Sequence, residues 1–95
     1  MSKTLTILEE QLSEELTSEW TVIIFNNEST SVDEVIAVLM VATDCSFEEA
    51  ETECMEAHIT GQCRVHYADQ VECERIAAII NLVGVKTEVC KEWGN

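Results

Sequence analysis

Trp20-Thr21-Val22-Ile23-Ile24-Phe25, followed at once by Asn26-Asn27-Glu28-Ser29-Thr30, is the stretch on which the reading of the fold turns. Six residues that are apolar at every position but Thr21 describe a strand covered by helices on one face and partly covered on the other. The polar run then ends the strand abruptly. Its amide and carboxylate acceptors fall at the rim of a core, where a cationic ligand can be held.

Outward from this stretch the chain alternates between start signals and apolar stripes. Ser31-Val32-Asp33-Glu34 is a capping box, in which the serine accepts from the Glu34 amide while Glu34 reaches back, and it opens a helix to about Ala42. A second box, Ser46-Phe47-Glu48-Glu49, opens the next helix, and Gly61 is its left-handed stop. Phe47, Ala50, Cys54, Ala57 and His58 fall on one stripe of that helix, so His58 is expected on the inward face with Cys54 and Ala57. Gln62 to Tyr67 alternates, with Cys63, Val65 and Tyr67 facing one way and Arg64 and His66 the other. Asp69-Gln70-Val71-Glu72 opens a third helix that presents Val71, Ile76, Ile79, Ile80 and Val83 and ends at Gly84, and Val85, Thr87 and Val89 supply a last strand. The order β-α-α-β-α-β, with three strands and helices on one side, predicts an α+β two-layer sandwich.

Ninety-five residues make one domain, expected to bury about two-thirds of its unfolded surface. Apolar residues at 46% and charged residues at 25% describe a globular chain, and no apolar run approaches the roughly 18 residues of a membrane span. The first residues lack a basic segment followed by an apolar one, so a cytoplasmic protein is expected. Nineteen acidic residues face five cations, Lys3, Arg64, Arg75, Lys86 and Lys91, for a net charge of -14. That balance repels phosphate, which argues against nucleic acid and against anionic membranes as partners. Residues 1–19 read as an acidic extension in which Leu5, Leu8, Leu12 and Leu16 recur at helical spacing, and residues 20–95 read as the domain.

In order and spacing, Val22-Ile23-Ile24-Phe25-Asn26-Asn27-Glu28-Ser29-Thr30-Ser31-Val32-Asp33, then Val38-Leu39-Met40, then Met55-Glu56-Ala57-His58-Ile59-Thr60-Gly61, the chain resembles the ClpS family, and its Glu-Ala-His-x-x-Gly run looks closest to cyanobacterial members. These proteins are adaptors of the bacterial Clp protease that recognise N-degrons. The resemblance covers roughly residues 20–92. It implies a three-stranded antiparallel sheet, an amine-binding group at Asn26, Asn27, Glu28 and His58, and a side-chain pocket walled by Thr30, Val32, Val35, Cys54, Ala57 and Val85. It also implies that Gln70 and Arg75 lie on a face that docks a Clp-type AAA+ unfoldase, ClpA- or ClpC-like, with the extension acting on the same partner. The ligands implied are proteins or peptides with a free hydrophobic first residue. Where the family commonly has methionine this chain has Val32 and Cys54, and where it has valine this chain has Ala57, so a wider pocket that admits a β-branched residue is expected. Asn27 stands where the family usually carries an acid, and Ser31 where it usually carries proline.

Three other chemistries are open to these residues. A free α-amino group has three N–H donors, and the Asn26 side-chain carbonyl, the Glu28 carboxylate and a neutral His58 nitrogen are three acceptors to match, with Glu28 the only formal charge. Metal binding is suggested by Cys54-x3-His58-x4-Cys63-x2-His66, yet Cys63 and His66 are three apart in a strand and point to opposite faces unless a bulge intervenes, so no metal or other cofactor is expected. A cysteine-histidine nucleophile would need a thiolate held by positive surroundings, whereas this chain is acidic throughout and its five cysteines lie at wide spacings as reduced, small apolar residues. An enzyme is therefore not expected. A regulator that occupies the unfoldase without binding a degron is the alternative to the adaptor.

Overall fold

Both capping boxes form, and they set where the helices begin. In the computed structural model, which describes residues 19–92, Ser31 Oγ accepts from the Glu34 amide at 3.2 Å and Glu34 Oε1 accepts from the Ser31 amide at 3.2 Å. Ser46 and Glu49 repeat the arrangement at 3.1 and 3.2 Å. The elements are β1 (Trp20–Phe25), α1 (Val32–Thr43), α2 (Phe47–Thr60), β2 (Gln62–Ala68), α3 (Gln70–Asn81) and β3 (Thr87–Lys91). Asp69 caps α3 by accepting from the Glu72 amide at 2.8 Å. Asp44 closes α1 at φ 59°, and Gly61 closes α2 at φ 99°, a backbone that glycine adopts without a Cβ penalty.

The sheet has the order β2-β1-β3, with both neighbours antiparallel to β1. β2 and β3 therefore run the same way on either side of β1, and α3 is the crossover between them. Val22 and Ile24 face the helices and join Leu39, Ile76, Ile80 and Val85 in one buried cluster, with Trp20 packed against it. Each such aliphatic side chain contributes about 1.5–3 kcal/mol of burial. Ile23 points to the other face, where it lies in register between Arg64 and Glu88. It is nevertheless buried. Arg64 Nε reaches Glu92 Oε1 at 2.9 Å, an ion pair that spans β1 on that face.

Side-chain placements on three elements differ from the sequence pattern. The pairing of β1 with β2 slips between Val22, opposite His66, and Ile23, opposite Arg64, which leaves Val65 as a bulge. His66 thus shares the helix side with Cys63 and Val65, and Tyr67 turns outward. Thr21, fully buried, donates to the His66 carbonyl beside the bulge at 2.9 Å. On α3 the buried stripe is Cys73, Ile76, Ala77 and Ile80, and Val71 is 78% exposed, because two residues before Cys73 is about 200° around the helix. On α2 Ala50, Cys54 and Ala57 are buried as the stripe requires, but Phe47 at the first turn is half exposed and His58, expected on the inward face with them, is exposed, because it follows Ala57 by about 100° around the helix and sits in the last turn. No helix among the described residues is long and apolar enough to cross a membrane. The extension expected at residues 1–19 lies, but for Glu19, outside the described residues.

Candidate functional site

Three turns meet where β1 ends. The Phe25 amide donates to the Lys86 carbonyl at 3.1 Å, and the Asn26 amide donates to the Gly61 carbonyl at 2.9 Å. The strand end is thus held between the α3–β3 turn and the last turn of α2, which carries His58. The polar run after β1 is then stitched to the α3–β3 turn by side chains. Asn27 Nδ2 donates to the Gly84 carbonyl at 2.7 Å and to Thr30 Oγ1 at 2.8 Å, and Asn27 Oδ1 accepts from the Ser29 amide at 2.7 Å. Thr30 Oγ1 in turn donates to the Val83 carbonyl at 2.8 Å. Gly84 has φ 88°, and a Cβ there would sit 3.3 Å from Thr30 Oγ1, so both the backbone and the close approach require glycine.

The convergence leaves a cavity of about 50 Å³, open to the surface. Its apolar walls are Ile24, Val35, Cys54, Ala57 and Val85, all buried, with Phe25 and the more exposed Val32 toward the mouth. Asn26, Asn27, Thr30 and His58 supply its polar lining. Every residue expected to wall a side-chain pocket therefore lies around this one space, together with three of the four expected at its amine end. Glu28 is exposed and is not among the walls, so no carboxylate among the described residues lines the cavity. The compact residues at 32, 54 and 57 share the walls of this small space with Ile24 and Val85.

Sequence reading missed Ile24 and Phe25 as walls and Val83 and Gly84 as the anchors of the stitch. The last two lie more than fifty residues from their partners, and no local spacing reports such a contact. Asn27, expected at the amine end, has both Nδ2 donors in the stitch, and its Oδ1, the atom that could accept from an amine, already accepts from the Ser29 amide.

The buried cysteines Cys54, Cys63 and Cys73 are held as thiols. Burial pushes Cys54 up from its ordinary range, and burial with Glu56 and Glu53 nearby pushes Cys63 up to about 12. That is opposite to the shift that activates a nucleophile. The bulge brings Cys63 and His66 to one side of the sheet, but no three metal-ligating side chains among the described residues are grouped to hold an ion.

Gln70 and Arg75 lie on the exposed side of α3, which begins beside Ala68 and so at the Trp20 end of β1. The length of β1, about 17 Å, separates that end from the cavity. Gln70 Nε2 donates to Glu74 Oε2 at 3.1 Å, and Arg75 forks onto Glu72 at 3.1 and 2.9 Å. That guanidinium holds the Glu72 carboxyl below its usual range, while burial lowers His66, 3.8 Å from Glu72.

A family model described as ATP-dependent Clp protease adaptor protein ClpS matches residues 15–87. Among solved structures the chain is similar to ClpS2 of Agrobacterium tumefaciens bound to L-phenylalaninamide, with TM-score 0.69 and 21% identity over 78% of this chain and 99% of that one. No curated protein sequence matches the chain significantly. The two-layer architecture with its three-stranded antiparallel sheet agrees with that structure, and the family match covers most of the domain, from before β1 to the start of β3. The chain belongs to the ClpS family of ATP-dependent Clp protease adaptors, and is an adaptor rather than an enzyme.

Proposed function

We propose that this adaptor binds the first residue of a protein or peptide in the cavity at the end of β1 and delivers it to a Clp-type AAA+ unfoldase of the ClpA or ClpC kind in the cytoplasm. The observation that carries the reading is that Asn26 and His58, two hydrogen-bonding side chains, line an apolar hole that no other part of the described chain fills. The α-amino group sits between them, and Glu28, exposed beside the mouth, contributes negative potential rather than a lining contact. Gln70 and Arg75, at the far end of the sheet, dock the unfoldase. A ligand at one end thereby leaves the other end free. Residues 1–19 engage the same partner during delivery.

The size of the cavity narrows the side chain. At about 50 Å³ it is well below the roughly 150 Å³ cavity that accepts a benzene ring, so a branched aliphatic first residue enters before an aromatic one. Calorimetric titration with peptides that differ only at residue one tests both points. Leucine, isoleucine or valine should bind more tightly than phenylalanine or tryptophan, and acetylation or His58→Ala should weaken binding by at least about tenfold. His58 is exposed, so its removal should leave the fold intact. Equal affinity for free and acetylated peptides would sink the proposal.

The absence of a carboxylate among the walls favours one other reading, a regulator that occupies the unfoldase without taking a degron. No binding to any peptide, together with binding to an isolated unfoldase N-domain, would select it.

A further inference from the structure

Lys86 sits where the α3–β3 turn meets the cavity at the end of β1. Val85, its neighbour, is one of the buried walls, and the Lys86 carbonyl accepts from the Phe25 amide at 3.1 Å. Its ammonium lies over the ring of Phe25, another residue of the lining, 5.4 Å from the ring centroid. An aromatic face attracts a cation and steadies a stem that would otherwise sample solvent freely. Lys86 is exposed and makes no ion pair with a described residue. The other described cations are paired or distant. Arg64 and Arg75 are taken up by Glu92 and Glu72, and Lys91 lies opposite Trp20, at the far end of β1. Among the described residues, a chain with 19 acids thus sets an ammonium with no carboxylate partner at the rim of this hole.

We infer that Lys86 reads the second residue of the bound peptide and favours a carboxylate there, aspartate or glutamate. On the degron reading, which this role requires, the ligand class narrows to peptides with an aliphatic first residue and an acidic second one. A space of about 50 Å³ takes one small side chain, so the chain beyond the first residue leaves across the rim. Successive Cα atoms are about 3.8 Å apart, which keeps the second side chain within a lysine stem's length of the mouth. Glu28, exposed on the turn after β1, faces the ligand's own α-amino group, which offsets its charge. Nothing in the first residue offsets Lys86. The net charge of -14 repels an acidic peptide at long range, but at about 150 mM salt charges beyond about 8 Å are largely screened and the nearest one decides. An exposed pair of this kind changes affinity by about two- to fivefold.

Calorimetric titration of the full chain at about 150 mM NaCl tests it, with peptides identical but for glutamate, glutamine or lysine after a leucine first residue. The glutamate peptide should bind about two- to fivefold more tightly than the glutamine one, and the lysine peptide more weakly than either. Lys86→Gln should bring the glutamate-to-glutamine ratio to about one, Lys86→Arg should keep it, and Lys86→Glu should invert it. A ratio between two peptides cancels any general loss of stability in a variant. An unchanged ratio in Lys86→Gln would overturn the inference, as would a preference for lysine in the unaltered chain. An N-acetylated form of the glutamate peptide separates the two levels. Binding that needs the free amine but ignores residue two overturns the role of Lys86 alone, whereas equal binding of the acetylated peptide overturns the degron reading with it.

Discussion

Asn27 is bound on all sides, and that decides what it does. Its two amide hydrogens go to Gly84 and Thr30 and its oxygen to the Ser29 amide, at 2.7, 2.8 and 2.7 Å. A carboxylate in its place keeps the Ser29 contact, loses both donors and sets a negative oxygen against the Gly84 carbonyl. Asn27→Asp should therefore cost about 1–2 kcal/mol, read as a lower urea midpoint with an unchanged slope. A neutral or stabilising result would mean that the stitch does not hold the loop. The motif located Asn27 beside the cavity in the sequence. What the sequence withheld was its partner, since nothing local ties position 27 to position 84. The thiols divide by burial in the same way. Cys54, Cys63 and Cys73 are buried with raised pKa values, whereas Cys45 and Cys90 are half-buried. Iodoacetamide at neutral pH, followed by mass spectrometry, should label Cys45 and Cys90 at least about tenfold faster.

At the scale of elements, α2 carries a strained flank beside its buried stripe. Glu53 lies between Glu49 and Glu56 on one helix face, and its Oε1 is buried with no hydrogen-bond partner. Burial first, then the two neighbouring carboxylates, push its pKa up from 4.5 to about 7. For an acid raised in this way the folded state holds the proton better than the unfolded one, so its favourable contribution is complete below pH 4.5 and is lost as pH rises through 7. Glu53→Gln should thus stabilise the protein at pH 8 and change little at pH 4. Because the group is partly solvated, solvent screening discounts the gain to the order of 1 kcal/mol. Urea melts at the two pH values check it, and a gain equal at both would place the cause elsewhere. Elements are also where legibility divides. The capping boxes and the glycine stop of α2 were readable because the groups that make them lie within a few residues. The alternation of β2 was not, because the bulge at Val65 is set by its pairing with β1. On α3 the apolar spacing from Val71 does not reveal the buried face, because Cys73 rather than Val71 lies one turn before Ile76 and Ala77 on the side packed against the sheet.

For the molecule as a whole, the site comes from closure. Residues 24–35, 54–58 and 85 have no common wall until the crossover of α3 brings the α3–β3 turn against the end of β1. The family motif therefore named most of the walls without giving the size of the space between them. Composition, in contrast, acts at this scale directly. Of the five cations, Arg64 and Arg75 are paired with Glu92 and Glu72, and Lys86 lies over the Phe25 ring at 5.4 Å, which leaves most of the 19 acids without an opposite charge. A net charge of -14 on so small a domain repels itself, and the repulsion is relieved when the chain expands on unfolding. Salt shortens the screening length from about 20 Å at 20 mM to about 6 Å at 300 mM, and so favours the folded state. It also weakens the two arginine pairs, but exposed pairs contribute only about 0–1 kcal/mol each, too little to reverse the sign. The melting temperature should rise by about 5 °C over that range, followed by circular dichroism at pH 7.5. A fall instead would mean that the few ion pairs outweigh the excess of acids, with the Arg64–Glu92 strap over Ile23 as the first to test by Arg64→Gln.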